Sequence, residues 1–103
     1  MIELTADNMA EFVSNDGLLV VEFRAEWCHP CKALTPTLET LEREGVLKVG
    51  TVDVDANMGL CDTHGIRSVP TMQFYKGGKL LDTAVGVRSR PELLLQVEGL
   101  AKA

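Results

Sequence analysis

Cysteine is scarce in this chain, and long apolar runs are absent. Three of the 103 residues are cysteine, which is too few, and odd in number, for the disulfide framework of a small secreted domain. No stretch approaches the roughly 18 consecutive apolar residues of a membrane-spanning helix, so we expect no membrane association. The N-terminus lacks the basic start and apolar segment of a secretory signal, which favours a cytoplasmic protein.

Basic residues are also in short supply. Ten Lys and Arg stand against fifteen Asp and Glu, for a net charge of −5. The cations are scattered rather than clustered, a pattern that disfavours nucleic-acid binding. The length and a hydrophobic content of 46% fit one compact domain over residues 1–103. We expect this domain to be a monomer.

The hydrophobic pattern predicts an α/β fold. Residues 18–23 form a nearly continuous apolar run, typical of a central strand covered on both faces. Further strands are predicted at 2–4 and 46–54, and a hairpin at 71–75 and 80–85 turns at Gly77-Gly78. The predicted order is βαβα, then β, β and α, which gives a mixed sheet with helices on its faces.

Helical spacing appears in four places. Thr5 is predicted to cap a short first helix that Asn15-Asp16-Gly17 ends. A buried leucine stripe over 34–41 marks a second helix that ends near Gly45, and Pro36 should kink it. Residues 58–64 form a weak third helix, and Ser89 with Glu92 forms a capping box that opens a last helix through Leu100.

Two of the three cysteines, Cys28 and Cys31, are separated by only two residues, which indicates redox or metal chemistry. Cys28 follows the buried strand and begins a helix, whose free amides and partial positive charge favour the thiolate. Cys28 is therefore the expected nucleophile, and Cys31, one turn further on, the expected resolving thiol. Pro30 suits the first turn of a helix and stiffens the loop between the sulfurs.

His29 lies between the two cysteines. A protonated His29 adds positive charge beside Cys28, stabilises the thiolate and makes the disulfide a stronger oxidant. The alternative is a solvated imidazole without effect, because exposed charges are screened.

A metal site is the alternative interpretation of the cysteine pair. It requires two further ligands, and Cys61 and His64 are the only candidates, so we expect no metal. Cys61 is interpreted as a surface or half-buried bystander, with regulatory oxidation or dimer formation as its alternative.

Several motifs together resemble the thioredoxin family. Trp27, the Cys-His-Pro-Cys motif and Lys32 are similar to the family's Trp-Cys-Gly-Pro-Cys-Lys signature. Pro36 matches a helix-kinking proline, and residues 66–71, with Pro70, match the segment that carries a cis-proline. Residues 74–79 match the later hairpin and Gly86 the glycine before the last helix. The resemblance covers essentially the whole chain and implies the thioredoxin fold, a central mixed sheet flanked by helices on both faces.

The resemblance also implies an activity, which is the reduction of disulfides in protein substrates by a Cys28/Cys31 dithiol. It implies no bound cofactor, because electrons come from an external flavin- and NADPH-dependent thioredoxin reductase. Pro70 is then cis and lies against the disulfide, and the Val69 backbone pairs with an extended substrate segment. The implied apolar docking surface consists of Trp27, Val69, Pro70, Val85, Gly86 and Val87.

Glu22 stands where the family usually keeps a buried Asp that takes a proton from the resolving cysteine. Burial should raise its pKa, as general-base chemistry near neutral pH needs. The alternative is a strand-end residue that faces water. Trp27 likewise has a core interpretation beside the docking one, and Arg24 and Lys32 are most simply solvated charges.

Four departures from the family pattern leave the redox potential and the proton route open. His29 replaces a Gly, Glu22 replaces the Asp, Thr51 stands where many members carry a lysine, and Arg24 replaces an aromatic residue. Two other functions therefore remain as alternatives. One is a disulfide oxidase or isomerase whose potential His29 raises, and the other is a non-catalytic binding module with the same fold.

Overall fold

A five-stranded mixed sheet runs through the centre of the fold. The computed structural model describes residues 1–103, and the strand order is β1-β3-β2-β4-β5. The strands are β1 Ile2–Glu3, β2 Leu18–Arg24, β3 Lys48–Asp53, β4 Thr71–Lys76 and β5 Lys79–Val85. β1 and β2 run parallel to β3, whereas β4 runs antiparallel to both β2 and β5.

Helices cover both faces of this sheet, which confirms the predicted fold class. They are α1 Met9–Val13, α2 Cys31–Arg43, α3 Met58–Thr63 and α4 Arg90–Ala101. None of them has the length and apolar character needed to cross a membrane.

The central strand β2 divides the core into two apolar clusters. Side chains alternate between the faces of a strand, so Val20 packs with Leu38 of α2 and Leu93 of α4. Val21 packs on the opposite face with Phe12 of α1. Burial of one such side chain stabilises the fold by about 1.5–3 kcal/mol, and the two clusters hold helices to both sides of β2.

The predicted hairpin and final capping box are both present. Gly77 and Gly78 have φ angles of 61° and 80°, the left-handed conformations that a tight hairpin turn needs. The Ser89 amide donates to Glu92 Oε1 at 2.8 Å, and the Glu92 amide donates to Ser89 Oγ at 3.3 Å. Pro36 lies inside α2 as expected, where it cannot donate to the carbonyl of Lys32.

The predicted strand at 46–54 and the weak helix at 58–64 are confirmed as β3 and α3. The predicted order of elements left both of them out, so it is wrong, and the structure contains βαβαβα before the final β, β and α. The predicted start of the first helix is also wrong. Thr5 does not cap α1, since the cap position belongs to Asn8. The Thr5 hydroxyl instead accepts from the Asp7 amide at 3.1 Å, inside a turn that precedes the helix.

Candidate active site

The Cys28–Cys31 pair forms a disulfide where β2 leads into α2. The two Cα atoms are 5.3 Å apart, and Cys31 is the first residue of α2. Cys28 therefore precedes the helix by three residues rather than beginning it. The Cys31 amide donates to Cys28 Sγ at 3.2 Å, so a free amide of the helix N-terminus points at this sulfur. Such a donor favours a thiolate on Cys28.

The two cysteine residues differ slightly in exposure. Cys28 keeps 3% of its surface exposed, whereas Cys31 keeps none. Both pack with buried Ala25 and half-buried Val69. A substrate that approaches from solvent therefore reaches Cys28 first.

The two residues between the cysteines are exposed. Pro30 holds the cap position of α2 with φ −60° and ψ −31°, the conformation that proline adopts at a helix start. His29 is exposed and makes no ion pair. A charge on its imidazole would have no carboxylate to neutralise it.

Trp27 stands on the surface, which contradicts its core interpretation. The indole is 67% exposed, and its Nε1 donates to Asp55 Oδ2 at 2.8 Å. Asp55 follows β3, and the carboxyl ends of parallel β2 and β3 lie at the same edge of the sheet. Sequence reasoning missed Asp55, although an acid directly after a parallel neighbour strand is a signal that could have found it.

The Val69–Pro70 peptide bond is cis, as the resemblance implies. Register brings this loop beside two other elements at one end of the sheet. Phe23 of β2 faces Thr71 of β4, and Thr71 faces Val85 of β5.

The end of β5 leads into an exposed apolar surface beside the cis-proline loop. The Gly86 amide donates to the Pro70 carbonyl at 2.9 Å, with Gly86 at a φ of 91° that favours glycine. Val85 is 57% and Val87 42% exposed. These side chains share their end of the sheet with the exposed Trp27.

A small cavity of about 180 Å³ lies beside Trp27 and Val69. Cys61 lines it but is only 7% exposed, so the prediction of a surface or half-buried position is wrong. Burial raises the pKa of the Cys61 thiol, and Asp62 and Asp53 raise it further. A thiol that resists ionisation is a poor nucleophile, which sets Cys61 apart from the Cys28–Cys31 pair.

Glu22 is fully buried on β2, on the face that α2 covers. The Thr35 hydroxyl on α2 lies 3.0 Å and 2.9 Å from the two carboxyl oxygens. Burial raises the pKa of Glu22 from 4.5 to about 7, while the Thr35 hydrogen bond and the Arg24 charge act in the opposite direction. Glu22 therefore has a pKa that allows proton exchange near neutral pH. It lies on the sheet face that is covered by α2, the helix that begins with Cys31.

Two neighbours of Glu22 determine the charge around it. Thr51 of β3 pairs with Glu22 of β2 and, as the sequence indicates, brings no charge. Arg24 was expected to be solvated, but it is half-buried and its Nε atom is buried without a hydrogen-bond partner. It lies on the same face of β2 as Glu22 because the two are separated by one residue.

No group of three or more His, Cys, Asp or Glu side chains is placed to hold a metal ion. The candidate ligand His64 is engaged elsewhere, since its Nδ1 lies 3.0 Å from Gln73 Oε1 and 3.3 Å from the Tyr75 hydroxyl. The two remaining candidates for a metal site, Cys61 and His64, therefore do not join the cysteine pair.

A mixed sheet that carries a Cys-x-x-Cys disulfide at a helix start, opposite a cis-proline loop, defines a class of thiol–disulfide oxidoreductases. Comparison with known proteins narrows this class. A sequence model described as Thioredoxin matches residues 1–98. The chain belongs to the thioredoxin family, whose members are thiol–disulfide oxidoreductases that need no prosthetic cofactor and act on disulfide-containing substrates.

Individual relatives agree with this assignment. The chain is 38% identical over 92 residues to a thioredoxin of Chlamydia caviae, in a match that covers 88% of this chain and 89% of the relative. It is 38% identical over 86 residues to a thioredoxin of Rickettsia felis, with 82% of each chain covered. The solved structure of a single-residue mutant thioredoxin from Halobacterium salinarum NRC-1 superposes with a TM-score of 0.91 at 27% identity, covering 99% of this chain and 91% of that one.

Proposed function

We propose that the chain is a protein-disulfide reductase that uses the Cys28/Cys31 dithiol. The observation that carries the proposal is the disulfide between the buried first residue of α2 and Cys28, the only member of the pair with exposed surface. Membership of the thioredoxin family supports the same chemistry. We assign the activity to the cytoplasm and to a monomer.

The first step is attack by Cys28. Its thiolate attacks one sulfur of the substrate disulfide, forms a mixed disulfide and releases the other substrate sulfur as a thiolate. The amide that donates to Cys28 Sγ supports the thiolate form. Pro30 limits the freedom of the loop, and His29 adds positive charge beside Cys28 when it is protonated.

The second step is resolution by Cys31. Glu22 takes the thiol proton, the Cys31 thiolate attacks the Cys28 sulfur, and the bond between Cys28 and the substrate breaks. The substrate leaves as a second thiolate, so two electrons have passed to it and the enzyme is left as the disulfide. A pKa of about 7 for Glu22 supports this role, since a base works best when its pKa lies near the working pH.

Substrate docking is assigned to the apolar surface beside the disulfide. Exposed Trp27, Val85 and Val87 supply contact area, and the hydrogen bond that the indole donates to Asp55 holds the ring in place. An extended substrate segment would pair with the Val69 backbone next to Pro70 and lie along Gly86.

An external reductase regenerates the dithiol. By family membership this partner is a flavoprotein that draws electrons from NADPH, and the chain itself needs no further cofactor.

Cysteine variants test the proposal directly. With a chemical dithiol or a thioredoxin reductase as electron source, the wild-type chain should reduce insulin, and Cys28→Ser should abolish the reaction. Cys31→Ser should accumulate a mixed disulfide through Cys28. Cys61→Ala is the matched control, since a buried thiol outside the pair should not affect the rate. Reduction that persists in a Cys28→Ser, Cys31→Ser double variant would contradict the proposal.

An oxidising role is the second candidate, and the exposed, unpaired His29 beside Cys28 favours it. Titration of the disulfide against glutathione separates the two directions. A potential well above the thioredoxin value of about −270 mV supports oxidase or isomerase activity. His29→Gly should then become more reducing, and an unchanged potential in this variant contradicts the role of His29.

A further inference from the structure

Thr35 behaves differently from the other threonines in the helices. Three of them donate to the carbonyl four residues earlier in their own helix: Thr37 to Ala33 at 3.3 Å, Thr40 to Pro36 at 3.0 Å and Thr63 to Gly59 at 3.0 Å. This is the ordinary local bond of a helical threonine. Thr35 instead directs its hydroxyl out of α2 toward β2.

The partner of that hydroxyl is the carboxyl group of Glu22. Both carboxyl oxygens lie within 3.0 Å of Thr35 Oγ1, and Glu22 is fully buried. Thr35 is the only side chain that hydrogen-bonds this carboxyl group. It follows Cys31 by four residues in α2, which puts the two on the same helix face.

We propose that Thr35 is a positioning residue for Glu22, holding the carboxyl group against the Cys31 face of α2 and favouring its ionised form. The inference deepens the proposed function and rests on it, because it concerns the base that serves Cys31. Cys31 gives its proton to the Glu22 carboxylate, and the resulting thiolate breaks the bond between Cys28 and the substrate. Thr35 neither gains nor loses a proton in this exchange.

The other surroundings of Glu22 supply little that could replace Thr35. The facing residues on β3 and β4 are the uncharged Thr51 and Met72. From α4, the core cluster on this face receives the apolar Leu93 and Val97. Arg24 on β2 is the only charged group that lowers the pKa of Glu22.

The test compares Thr35→Val, which removes the hydroxyl, with Thr35→Ser, which keeps it. Thr37→Val is the matched control, since that hydroxyl bonds only its own helix. One readout is the titration of Glu22, followed by the carbon-13 shift of its carboxyl group and assigned with Glu22→Gln. The other is stopped-flow reduction of an aromatic disulfide, in which Cys28 attack and Cys31 resolution each release one coloured thiolate.

We expect Thr35→Val to raise the Glu22 midpoint by about one pKa unit. At pH 7 the second thiolate release should slow by about fivefold, as the ionised fraction falls, while the first release keeps its rate. Thr35→Ser should restore both readouts, and Thr37→Val should change neither. Should Thr35→Val fail to fold, Thr35→Ala against Thr35→Ser makes the same comparison.

Two results would overturn the inference while leaving the proposed function intact. One is an unchanged Glu22 midpoint in Thr35→Val. The other is a shifted midpoint with an unchanged second release, because Thr35 would then contact Glu22 without serving exchange. Failure of the wild-type chain to release either thiolate overturns both the inference and the proposed function.

Discussion

Glu22 and Gln73 are buried polar side chains on adjacent strands, and they face opposite sides of the sheet. Glu22 pairs with Met72 of β4, and its neighbour Val21 pairs with Gln73, so the two lie at nearly the same level. Their exposures are 0% and 4%. The two side chains differ in the number of their hydrogen-bond partners.

Both polar atoms of the Gln73 side chain have hydrogen-bond partners. Its Oε1 lies 3.0 Å from His64 Nδ1 and accepts from the Tyr75 hydroxyl at 3.2 Å. Its Nε2 donates to the His64 carbonyl at 3.3 Å. Glu22 has a single hydroxyl donor for two carboxyl oxygens.

This difference distinguishes a polar group that stabilises the fold from one whose pKa is shifted toward neutral pH. A buried neutral amide with its hydrogen bonds made stabilises the packing of α3 against β4. A buried carboxyl group with one donor carries a desolvation cost that raises its pKa into the neutral range. In the proposed mechanism, this raised pKa is what allows Glu22 to exchange a proton with Cys31.

Glu22→Gln should remove the desolvation cost of the buried carboxylate, and it should have the largest effect on stability among the variants. Between pH 4.5 and about 7 the folded chain holds a proton that the unfolded chain has released, so the stability of the wild type falls as pH rises through this range. The variant should be more stable by about 3 kcal/mol at roughly pH 8 and unchanged at about pH 4. Urea unfolding at both pH values measures this, with the exposed Glu39→Gln as control. Equal stability at the higher pH would contradict a raised pKa.

Gln73→Leu should change the stability of the fold in the opposite direction. It leaves His64 Nδ1 and the Tyr75 hydroxyl with fewer partners and should destabilise the fold by about 1–2 kcal/mol. No carboxyl group takes part, so the loss should be equal at about pH 7.5 and about pH 9, and the second thiolate release should keep its rate. A loss that depends on pH in this range, or a slowed release, would remove the distinction between the two faces.

Thr51→Lys should make Glu22 a weaker base near neutral pH. The new ammonium group would share the Glu22 face of the sheet and should lower the Glu22 pKa by about one unit. Thr51→Met, of similar length and without charge, is the control. Carboxyl carbon-13 titration measures the shift, and equal midpoints in the two variants would show that position 51 does not reach Glu22.

Arg24→Met should give the smallest change in the pKa of Glu22. Loss of the half-buried guanidinium should raise the Glu22 pKa by about half a unit, since solvent screens part of its charge. Arg24→Lys should keep the wild-type value, and Lys32→Met tests an exposed cation on α2. A midpoint that rises equally in Lys32→Met would point to general charge rather than to Arg24.

Sequence reasoning predicts those parts of the fold that depend on local signals. The apolar run 18–23, the paired glycines at 77 and 78 and the Ser89/Glu92 box each carry their own physical cause, and all three appear as expected. The cysteine pair is recognisable by its spacing, and the resemblance adds the cis bond before Pro70.

The contacts that sequence reasoning misses join residues far apart in the chain. Thr35 and Glu22 are separated by 13 positions, and Trp27 and Asp55 by 28. Thr35 looks like any other threonine of a helix until the packing of α2 on β2 is known. Gln73 likewise sits in an apolar strand, and only tertiary structure brings it to His64. The expectation for Arg24 was wrong because the fold places its side chain among residues of β3 and of the loops after β1 and β3, with which it lines a pocket.

The most direct test of the contrast is the titration of Glu22 in the oxidised wild-type protein, followed through its carboxyl carbon-13 shift. We predict a midpoint near pH 7, because burial raises the pKa of this carboxyl group to about 7. A midpoint near 4.5, the value of an ordinary glutamate, would contradict this contrast. Glu22 would then carry no net desolvation cost and would not differ from Gln73 in this respect.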